Sequence, residues 1–111
     1  MLSDPLPPGA LDDVEVMTGD KNETCDTACA VRNKRCSADH LRWLNSCDRL
    51  REHHGCEAGC EVAQGLGPCY VDGNAPKTDR PAMCFAQPPA TANLSCKNRN
   101  TQHMMLCPCV S

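Results

Sequence analysis

Aromatic residues are scarce in this chain, whose 111 residues include one tryptophan, one tyrosine and one phenylalanine. Aliphatic residues are also thinly spread, so the apolar interior that the chain can bury is small. A domain of this length with so little apolar surface is not held together by burial alone. The composition therefore predicts that another kind of constraint stabilises the fold.

Sequence features of several other protein classes are missing as well. No stretch approaches the roughly 20 apolar residues that span a membrane. Residues 1–20 lack the basic start and the apolar run of a signal peptide, so we expect the chain to be a mature or recombinant form. The net charge of −3 argues against binding to nucleic acid, which requires a strongly basic surface.

The sequence offers no convincing catalytic group. It contains no glycine-rich phosphate loop and no nucleophile elbow. Glu52, His53 and His54 are a conceivable acid–base group, but adjacent positions of a helix point in different directions and do not converge on one substrate. We therefore predict that the protein is not an enzyme and has no cofactor.

What the chain has in abundance is cysteine, at 11 of its 111 residues. In a short chain this density is typical of a disulfide scaffold, which we favour over metal binding and over redox chemistry. No two cysteines have the C-x2-C spacing of a zinc knuckle and the histidines lack finger spacing, so we predict no metal site. The candidates for disulfide bonds are Cys25, Cys29, Cys36, Cys47, Cys56, Cys60, Cys69, Cys84, Cys96, Cys107 and Cys109.

The spacing of four cysteines suggests how they pair. Cys25 and Cys29 are separated by three residues, as are Cys56 and Cys60, and each pair lies on one face if its segment is helical. An antiparallel hairpin of two such helices would bond Cys25 to Cys60 and Cys29 to Cys56. This pairing is our hypothesis for two of the bonds.

The last two cysteines, Cys107 and Cys109, flank Pro108. A ring closed between them would be strained, so we predict that they bond to different partners and fasten the chain end to two separate elements. Because the number of cysteines is odd, five bridges leave one thiol over, which is either buried or bonded to another chain.

Two N-glycosylation sequons agree with an oxidising compartment, namely Asn22-Glu-Thr and Asn93-Leu-Ser. Asn22 and Asn93 are therefore candidate glycosylation sites. Together with the cysteines, they predict a protein that is secreted or that resides in the lumen of an oxidising compartment.

The composition divides the chain into two segments. Residues 1–24 contain prolines, six acidic residues and one lysine, and are predicted to form an acidic tail. Residues 25–111 carry all the cysteines and a slightly basic charge, and are predicted to form one disulfide-stapled domain. If a partner surface holds the tail in place, Asp12, Asp13 and Glu15 are candidate contact residues.

The pattern of the cysteine-rich segment predicts a small disulfide-rich fold that is mainly α-helical with irregular loops. Thr24 is a candidate cap for a helix over residues 25–34, and Ser37 for a second helix over 38–54. A short helical turn is predicted near residues 56–63. The C-terminal third is rich in turn residues and is predicted to be extended or looped.

Three stretches resemble a known family. "TCDTACAVRNKRCSADHLRWLNS" begins at Thr24 and has a C-x3-C-x6-C pattern followed by Leu-Asn-Ser. "SCKNRNTQHMMLCPC" begins at Ser95 and contains Ser-Cys, Asn-Thr and Leu-Cys-Pro-Cys in turn, and Phe85 begins a Phe-Ala-Gln-Pro. Over about residues 24–109 the chain is similar to the C-terminal cysteine-rich region of the α-1,6-mannosylglycoprotein N-acetylglucosaminyltransferases (N-acetylglucosaminyltransferase V).

The resemblance implies a lumenal or extracellular setting and a disulfide-bonded fold. Enzymes of that family are Golgi-lumenal and transfer N-acetylglucosamine to N-glycans in a much larger two-lobed domain, for which this chain has no room. The resemblance therefore brings no catalytic residue with it. Cys56 and Cys60 do not belong to the shared pattern.

Three functions fit these observations. We favour a non-catalytic interaction module, an accessory or stabilising subunit that docks on a larger protein or a membrane assembly. The alternatives are a free secreted ligand, such as an inhibitor, toxin, defence peptide or signal, and a glycan-binding or ancillary module of a glycosyltransferase. Trp43 is the candidate contact for a sugar ring or a protein, unless it packs against a neighbouring element.

Reduction tests the disulfide scaffold. The oxidised protein is expected to unfold cooperatively, and dithiothreitol is expected to abolish the transition because apolar burial alone does not offset chain entropy. Thermal unfolding followed by circular dichroism measures the effect. A melting temperature that stays within a few degrees of its starting value in dithiothreitol would contradict the scaffold.

Overall fold

The computed structural model describes residues 13–111. Helix accounts for 23% of these residues and strand for 25%, so the prediction of a mainly α-helical fold is wrong. What the composition did indicate correctly is a small disulfide-rich domain. The elements in chain order are β1 (Glu15–Thr18), α1 (Cys25–Ala30), β2 (Arg35–Cys36), α2 (Ala38–Leu44), α3 (Cys47–His53), β3 (Gly59–Val62), β4 (Cys69–Val71), a 3-10 turn (Lys77–Asp79), β5 (Met83–Ala86) and β6 (His103–Val110).

The strands between residues 13 and 111 form one mixed sheet in the order β1-β6-β4-β5-β3, and β2 pairs with the far end of β6. β6 has eight residues and pairs antiparallel with β1, β2 and β4. β3 runs parallel to β5 at the other side of the sheet. The last strand of the chain is therefore the one on which most of the sheet is assembled.

Pro108 lies inside this central strand although proline has no N–H to donate to a ladder. On one side of β6 the neighbour changes from β4, which pairs with residues 103–105, to β2, which pairs with residues 109–110. Pro108 lies at the junction of these two ladders. Its carbonyl still accepts the backbone N–H of Ser37 at 2.9 Å.

The sheet has apolar packing on both faces. The register places Cys69, Phe85 and Met105 in one row across three strands, on the face that also packs against α1, here called the α1 face. Tyr70 belongs to the adjacent row, on the opposite face, which packs against Leu50 and is here called the α3 face. Successive residues of a strand point to opposite faces, so the two rows cannot mix.

Two disulfides join α1 to β6. Cys25 bonds to Cys107 and Cys29 bonds to Cys109, each with a Cα–Cα distance of 5.3 Å. Four residues of helix rise about 6 Å and two residues of strand about 6.8 Å, so the C-x3-C of the helix is in register with the C-P-C of the strand. The prediction that the last two cysteines have different partners is confirmed. The prediction that they fasten the chain end to two separate elements is wrong, because Cys25 and Cys29 both lie on α1.

The hypothesis of a two-helix hairpin, with Cys25 bonded to Cys60 and Cys29 to Cys56, is wrong. The hypothesis bonded one C-x3-C pair to the other. In the structure, the C-x3-C of α1 instead bonds to the C-P-C of β6. The remaining disulfides are Cys36–Cys96, Cys47–Cys60 and Cys56–Cys84.

The helix predicted over residues 25–34 begins where expected and ends earlier. The Thr24 hydroxyl accepts a backbone N–H of the first turn at 3.2 Å, so Thr24 is the cap that the sequence indicated. Asn33 has a φ of 59°, which stops the helical path. Ser37 precedes α2, but its hydroxyl lies 2.6 Å from Nδ1 of His40 and caps no backbone N–H.

The helix predicted over residues 38–54 is two helices, because the chain leaves the helical path between them. Asn45 turns its amide toward the backbone of Gln87: its Oδ1 accepts the N–H at 2.7 Å and its Nδ2 donates to the carbonyl at 3.0 Å. The Ser46 hydroxyl then caps α3 by accepting the N–H of Arg49. Asn45 and Gln87 are 6% and 1% exposed, so this pair of hydrogen bonds is shielded from water.

The helical turn predicted near residues 56–63 is also wrong, since β3 occupies this region and pairs with β5. Cys56 has a φ of 46° and Gly59 a φ of 116°. Neither value is compatible with a right-handed helix, so Cys56 and Cys60 do not share a helical face. Their separate disulfides instead fasten this segment to β5 and to α3.

The two ends of the sequence contribute strands. The C-terminal third, predicted to be extended or looped, contains β5 and β6. Residues 1–12 of the predicted acidic tail lie outside the described residues, while Glu15–Thr18 form β1. The predicted division at residue 24 stays a prediction.

Between residues 13 and 111, no helix is long and apolar enough to cross a bilayer.

The two bridges between α1 and β6 are expected to contribute non-additively to the free energy of unfolding. Replacing Cys29 and Cys109 by alanine opens only the small ring between the two bridges, and by loop entropy this lowers the free energy of unfolding by about 2.5 kcal/mol. Removing Cys25–Cys107 as well opens a larger loop that then closes only through Cys36–Cys96, which lowers the free energy of unfolding by about 3.5 kcal/mol more. Urea unfolding of the two variants measures both losses.

The bridge between Cys47 and Cys60 serves as the control, because it closes a separate loop with a sequence separation of 13. The loss in free energy of unfolding on its removal should add to the loss on removal of either α1–β6 bridge. A second α1–β6 loss that is no larger than the first would contradict the coupling of the two bridges.

Candidate functional site

One group of polar side chains on the α3 side of the sheet contains two residues whose pKa values are shifted. It consists of Thr18, His54, Glu57 and Tyr70, and is here called the His54–Tyr70 cluster. Thr18 ends β1, His54 follows α3, Glu57 precedes β3, and Tyr70 lies in the middle of β4. Three separate parts of the chain therefore supply it, since His54 and Glu57 share the connection between α3 and β3, and the sheet and disulfides fix their relative positions.

The side chains of the His54–Tyr70 cluster hold one another in place. The rings of His54 and Tyr70 are stacked with centroids 4.8 Å apart and planes 4° from parallel. Nε2 of His54 lies 3.1 Å from the Thr18 hydroxyl. The Tyr70 hydroxyl donates to Oε1 of Glu57 at 2.7 Å. Each ring is thus fixed by one stacking contact and one hydrogen bond.

The electrostatics of the cluster favour the neutral form of both rings. The hydrogen bond to the Glu57 carboxylate raises the pKa of Tyr70 to about 12, with smaller effects from burial and from the charges of Glu57 and Asp72. Burial, and then the neighbouring His53, lower the pKa of His54, while Glu57 partly opposes them. Shifted titrations of this kind concentrate at functional sites.

The polar atoms that fix the two rings have partners within the chain. The Tyr70 hydroxyl donates to Glu57, and Nε2 of His54 lies beside the Thr18 hydroxyl. Tyrosine combines apolar area with a polar tip and is enriched at protein interfaces. The arrangement favours recognition of a partner.

The acid–base group considered from the sequence is not assembled. The Glu52 carboxylate pairs with the Arg49 guanidinium at 2.9 Å. His53 is exposed at the end of α3, and His54 turns away to stack on Tyr70. The three side chains therefore have different surroundings and do not face one point.

Trp43, predicted to contact a sugar or a protein, lies on α2 and is half-buried. The Arg42 guanidinium lies 4.3 Å from the centroid of its ring system. A cation at this distance is attracted to the indole face, so one face of the ring is already covered. The contact role of Trp43 stays a prediction.

The acidic contact candidates are spread along the start of the described chain. Asp12 lies outside the described residues, and Asp13 is exposed. Glu15 on β1 lies 3.6 Å from the Lys34 ammonium and 3.9 Å from the Arg32 guanidinium. Glu15 is thus engaged with basic residues of this chain, and its role toward a partner stays a prediction.

Both candidate glycosylation sites are exposed. Asn22 has a left-handed φ of 61° and Asn93 follows a loop whose backbone is fixed by Gln87, which accepts the Asn93 N–H at 2.8 Å. In each case a glycan would extend into solvent. Use of the two sequons stays a prediction.

The disulfide pairing identifies the one unpaired thiol and explains one cluster of possible metal ligands. Of the eleven cysteines, all within residues 13–111, Cys69 is unpaired and buried, which is one of the two alternatives considered. Asp26, Cys36 and Cys96 place ligand atoms within 4.8 Å of one another. Because Cys36 and Cys96 are bonded to each other, neither supplies the thiolate that a zinc ion requires.

The residues that carry the family resemblance meet in space. Asn45 of the Leu-Asn-Ser holds Gln87 of the Phe-Ala-Gln-Pro through two hydrogen bonds. Three disulfides join the first stretch to the last, namely Cys25–Cys107, Cys29–Cys109 and Cys36–Cys96. No family model matches the chain, and no curated protein matches it. The resemblance thus rests on these residues alone.

Sequence reasoning did not find the His54–Tyr70 cluster. Thr18, Glu57 and Tyr70 lie far apart in the chain and in no recognisable spacing. The one available signal was that Tyr70 is the single tyrosine of a chain with few aromatic residues. Long-range strand pairing, which brings them together, cannot be read from local patterns.

Titration of Tyr70 tests the geometry of the cluster. Because it is the single tyrosine, the ultraviolet absorbance of phenolate reports it alone. Glu57→Gln is expected to lower the pKa of Tyr70 from about 12 toward its ordinary 10.0, because the carboxylate that favours the neutral phenol is gone. Rapid pH-jump mixing measures the titration before alkali attacks the disulfides.

Asp72→Asn is the matched control, since Asp72 acts on Tyr70 only through its charge. It should lower the pKa of Tyr70 by less than Glu57→Gln does. An unchanged titration in the Glu57→Gln variant would show that the hydrogen bond does not form in solution.

Proposed function

We propose that the protein is a non-catalytic interaction module of a secreted or lumenal setting, an accessory or stabilising subunit that docks on a larger protein or a membrane assembly. The observation that carries the proposal is the set of five disulfides within residues 13–111. Disulfides at this density form and persist in oxidising compartments. They also supply rigidity that the small apolar core does not.

A rigid scaffold favours binding through surface contacts. Side chains that are already fixed lose little conformational freedom when a partner docks, which reduces the cost of association. The cavity lined by Leu66, His103 and Met105 has a volume of about 30 Å³, whereas small-molecule sites measure roughly 300–1,000 Å³. That cavity is too small for an organic substrate.

The docking surface that we propose is the His54–Tyr70 cluster. Its two rings are stacked and anchored by hydrogen bonds, so a partner meets them in a defined orientation. Pre-positioned tyrosines are frequent anchors of protein interfaces. The exposed Glu57 beside them adds a negative charge that a basic group of the partner could pair with.

A second candidate function is that of an ancillary module of a glycosyltransferase. The residues that carry the resemblance lie close together in space, which favours this role. They form the three disulfides between the chain's ends and the Asn45–Gln87 contact. These are residues that hold the fold together, so the resemblance bears on architecture. In this role the module would stabilise a catalytic domain and perform no transfer itself.

Native purification tests the proposed function. The protein, tagged and produced in the secretory pathway of its source cells, is isolated without denaturant and analysed by size-exclusion chromatography with light scattering. A stoichiometric complex far heavier than the 12.0 kDa chain is expected. A stable monomer would contradict the subunit and would favour a free secreted ligand instead.

Two variants locate the contact. Tyr70→Ala is expected to weaken the complex by about tenfold or more, as the loss of an interface anchor does. Glu61→Gln is the control, because Glu61 is an exposed, hydrogen-bonded carboxylate in the row of Phe85, on the opposite face of the sheet from Tyr70. Equal affinity in both variants would place the interface elsewhere.

A further inference from the structure

One surface turn carries a pattern of basic residues that the function proposed above does not use. The sequence from residue 32 reads Arg-Asn-Lys-Arg, and Cys36 follows it. Lys34 and Arg35 are the one place in the sequence where two lysine or arginine residues are adjacent. Subtilisin-like endoproteases of the secretory pathway cut after such a pair. An arginine two positions before the pair strengthens recognition, because carboxylates in the protease subsites bind these cations.

The turn lies on the surface between α1 and β2. Arg32, Asn33 and Arg35 are exposed, and Lys34 is half-buried. Exposed loops are the preferred positions of proteolytic cutting. The basic side chains are therefore within reach of a protease, and the conformation of the backbone decides whether the bond after Arg35 can be cut.

The backbone of the turn has a shape that a protease cleft does not accept, because a cleft binds its substrate as an extended strand. The N–H groups of Arg32 and Lys34 both donate to the carbonyl of Cys29 at 3.0 Å. Asn33, between them, has a left-handed φ of 59°, which lies outside the extended region. The turn must therefore open before the bond after Arg35 can be cut.

The residues that follow this bond are also held in place. Cys36 pairs with Cys109 in the β2–β6 ladder and is bonded to Cys96. The N–H of Ser37 donates to the carbonyl of Pro108 at 2.9 Å. A single hydrogen bond stabilises a fold less than a disulfide that closes a loop. The Cys36–Cys96 bridge is therefore the constraint that most strongly opposes opening of the turn.

Glu15 of β1 contacts two of the side chains that a protease would recognise. Its carboxylate lies 3.6 Å from the Lys34 ammonium and 3.9 Å from the Arg32 guanidinium. These contacts resemble those that an acidic subsite of a protease would make. The three side chains are between 30% and 58% exposed, and ion pairs in water contribute little. Glu15 is therefore a minor constraint beside the disulfide.

We propose that residues 32–35 form a guarded processing site, which a subtilisin-like endoprotease of the secretory pathway cuts after Arg35 in chains whose Cys36–Cys96 bridge has not formed. Water adds across the peptide bond and leaves a carboxylate on Arg35 and an amino group on Cys36. The bridges Cys25–Cys107 and Cys29–Cys109 hold the two pieces together. In the fully oxidised protein the site is closed, so cutting distinguishes incompletely bridged chains from complete ones.

The guarded site shares only the secretory setting with the proposed function. It lies in the connection between α1 and β2, and no residue of the His54–Tyr70 cluster belongs to it. Digestion of purified protein requires neither a docking partner nor a cell. A failure of the docking proposal therefore leaves the guarded site untouched, and the reverse also holds.

Digestion of the purified full chain tests the proposal. The wild type, with its disulfides verified by intact mass, and Cys96→Ala are incubated with a purified endoprotease of this class. Cys96→Ala opens the bridge and changes no residue next to the cut bond. It is expected to be cut about 100-fold faster or more, because cutting follows the population of the open turn and one loop closure is lost.

Gel electrophoresis identifies the products. The cut Cys96→Ala variant should migrate as one species without reduction and as residues 1–35 and 36–111 after reduction. Equal rates for wild type and Cys96→Ala would overturn the guard. A Cys96→Ala variant that stays intact, or that is cut at another bond, would overturn the site.

Further variants separate the bridge from general loosening and assign recognition. Cys60→Ala opens the Cys47–Cys60 bridge and should resist cutting as the wild type does. In the Cys96→Ala background, Arg35→Gln should abolish the cut, whereas Arg51→Gln, at an exposed arginine of α3, should leave it unchanged. Equal cutting of Cys60→Ala and Cys96→Ala, or equal effects of the two arginine variants, would overturn the proposal.

Discussion

The fold depends on two disulfides that hold α1 against β6. They work because four residues of helix and two residues of strand advance nearly the same distance, so Cys25 and Cys29 meet Cys107 and Cys109 without distortion of either element. β6 in turn pairs with β1, β2 and β4. A chain with three aromatic residues thereby gains a rigid centre, and the sheet grows outward from its last strand.

The two faces of the sheet carry different kinds of side chain. The α1 face is occupied by cysteine and methionine side chains and by Phe85, and it keeps one thiol out of the disulfide network. The α3 face ends in a polar group in which Tyr70 is held by His54 and Glu57. β4 contributes a side chain to each face, because Cys69 points to the α1 face and Tyr70 to the α3 face. The register of β4 therefore decides which side chains each face receives.

The sequence predicted the features that depend on composition or on one local contact. The disulfide-rich scaffold, the cap at Thr24 and the separate partners of Cys107 and Cys109 belong to this group. The mistaken helix near residues 56–63 shows the limit, since a spacing of four fits both a helical face and two unrelated bridges. The parallel pairing of β3 with β5, and the meeting of Thr18 with His54, join distant residues. Nothing local encodes those contacts, so the sheet and the polar cluster became visible only in three dimensions.

The register of β1 on β6 has a consequence for how this fold can be connected. Glu15 lies opposite Cys109 in an antiparallel pair, so residue 13 is next to the end of β6. Where the first and last strands of a domain are neighbours, a short linker can join them and new termini can be opened elsewhere. Circular permutation is therefore available to this domain, and so is its insertion into a surface loop of another protein with both junctions side by side.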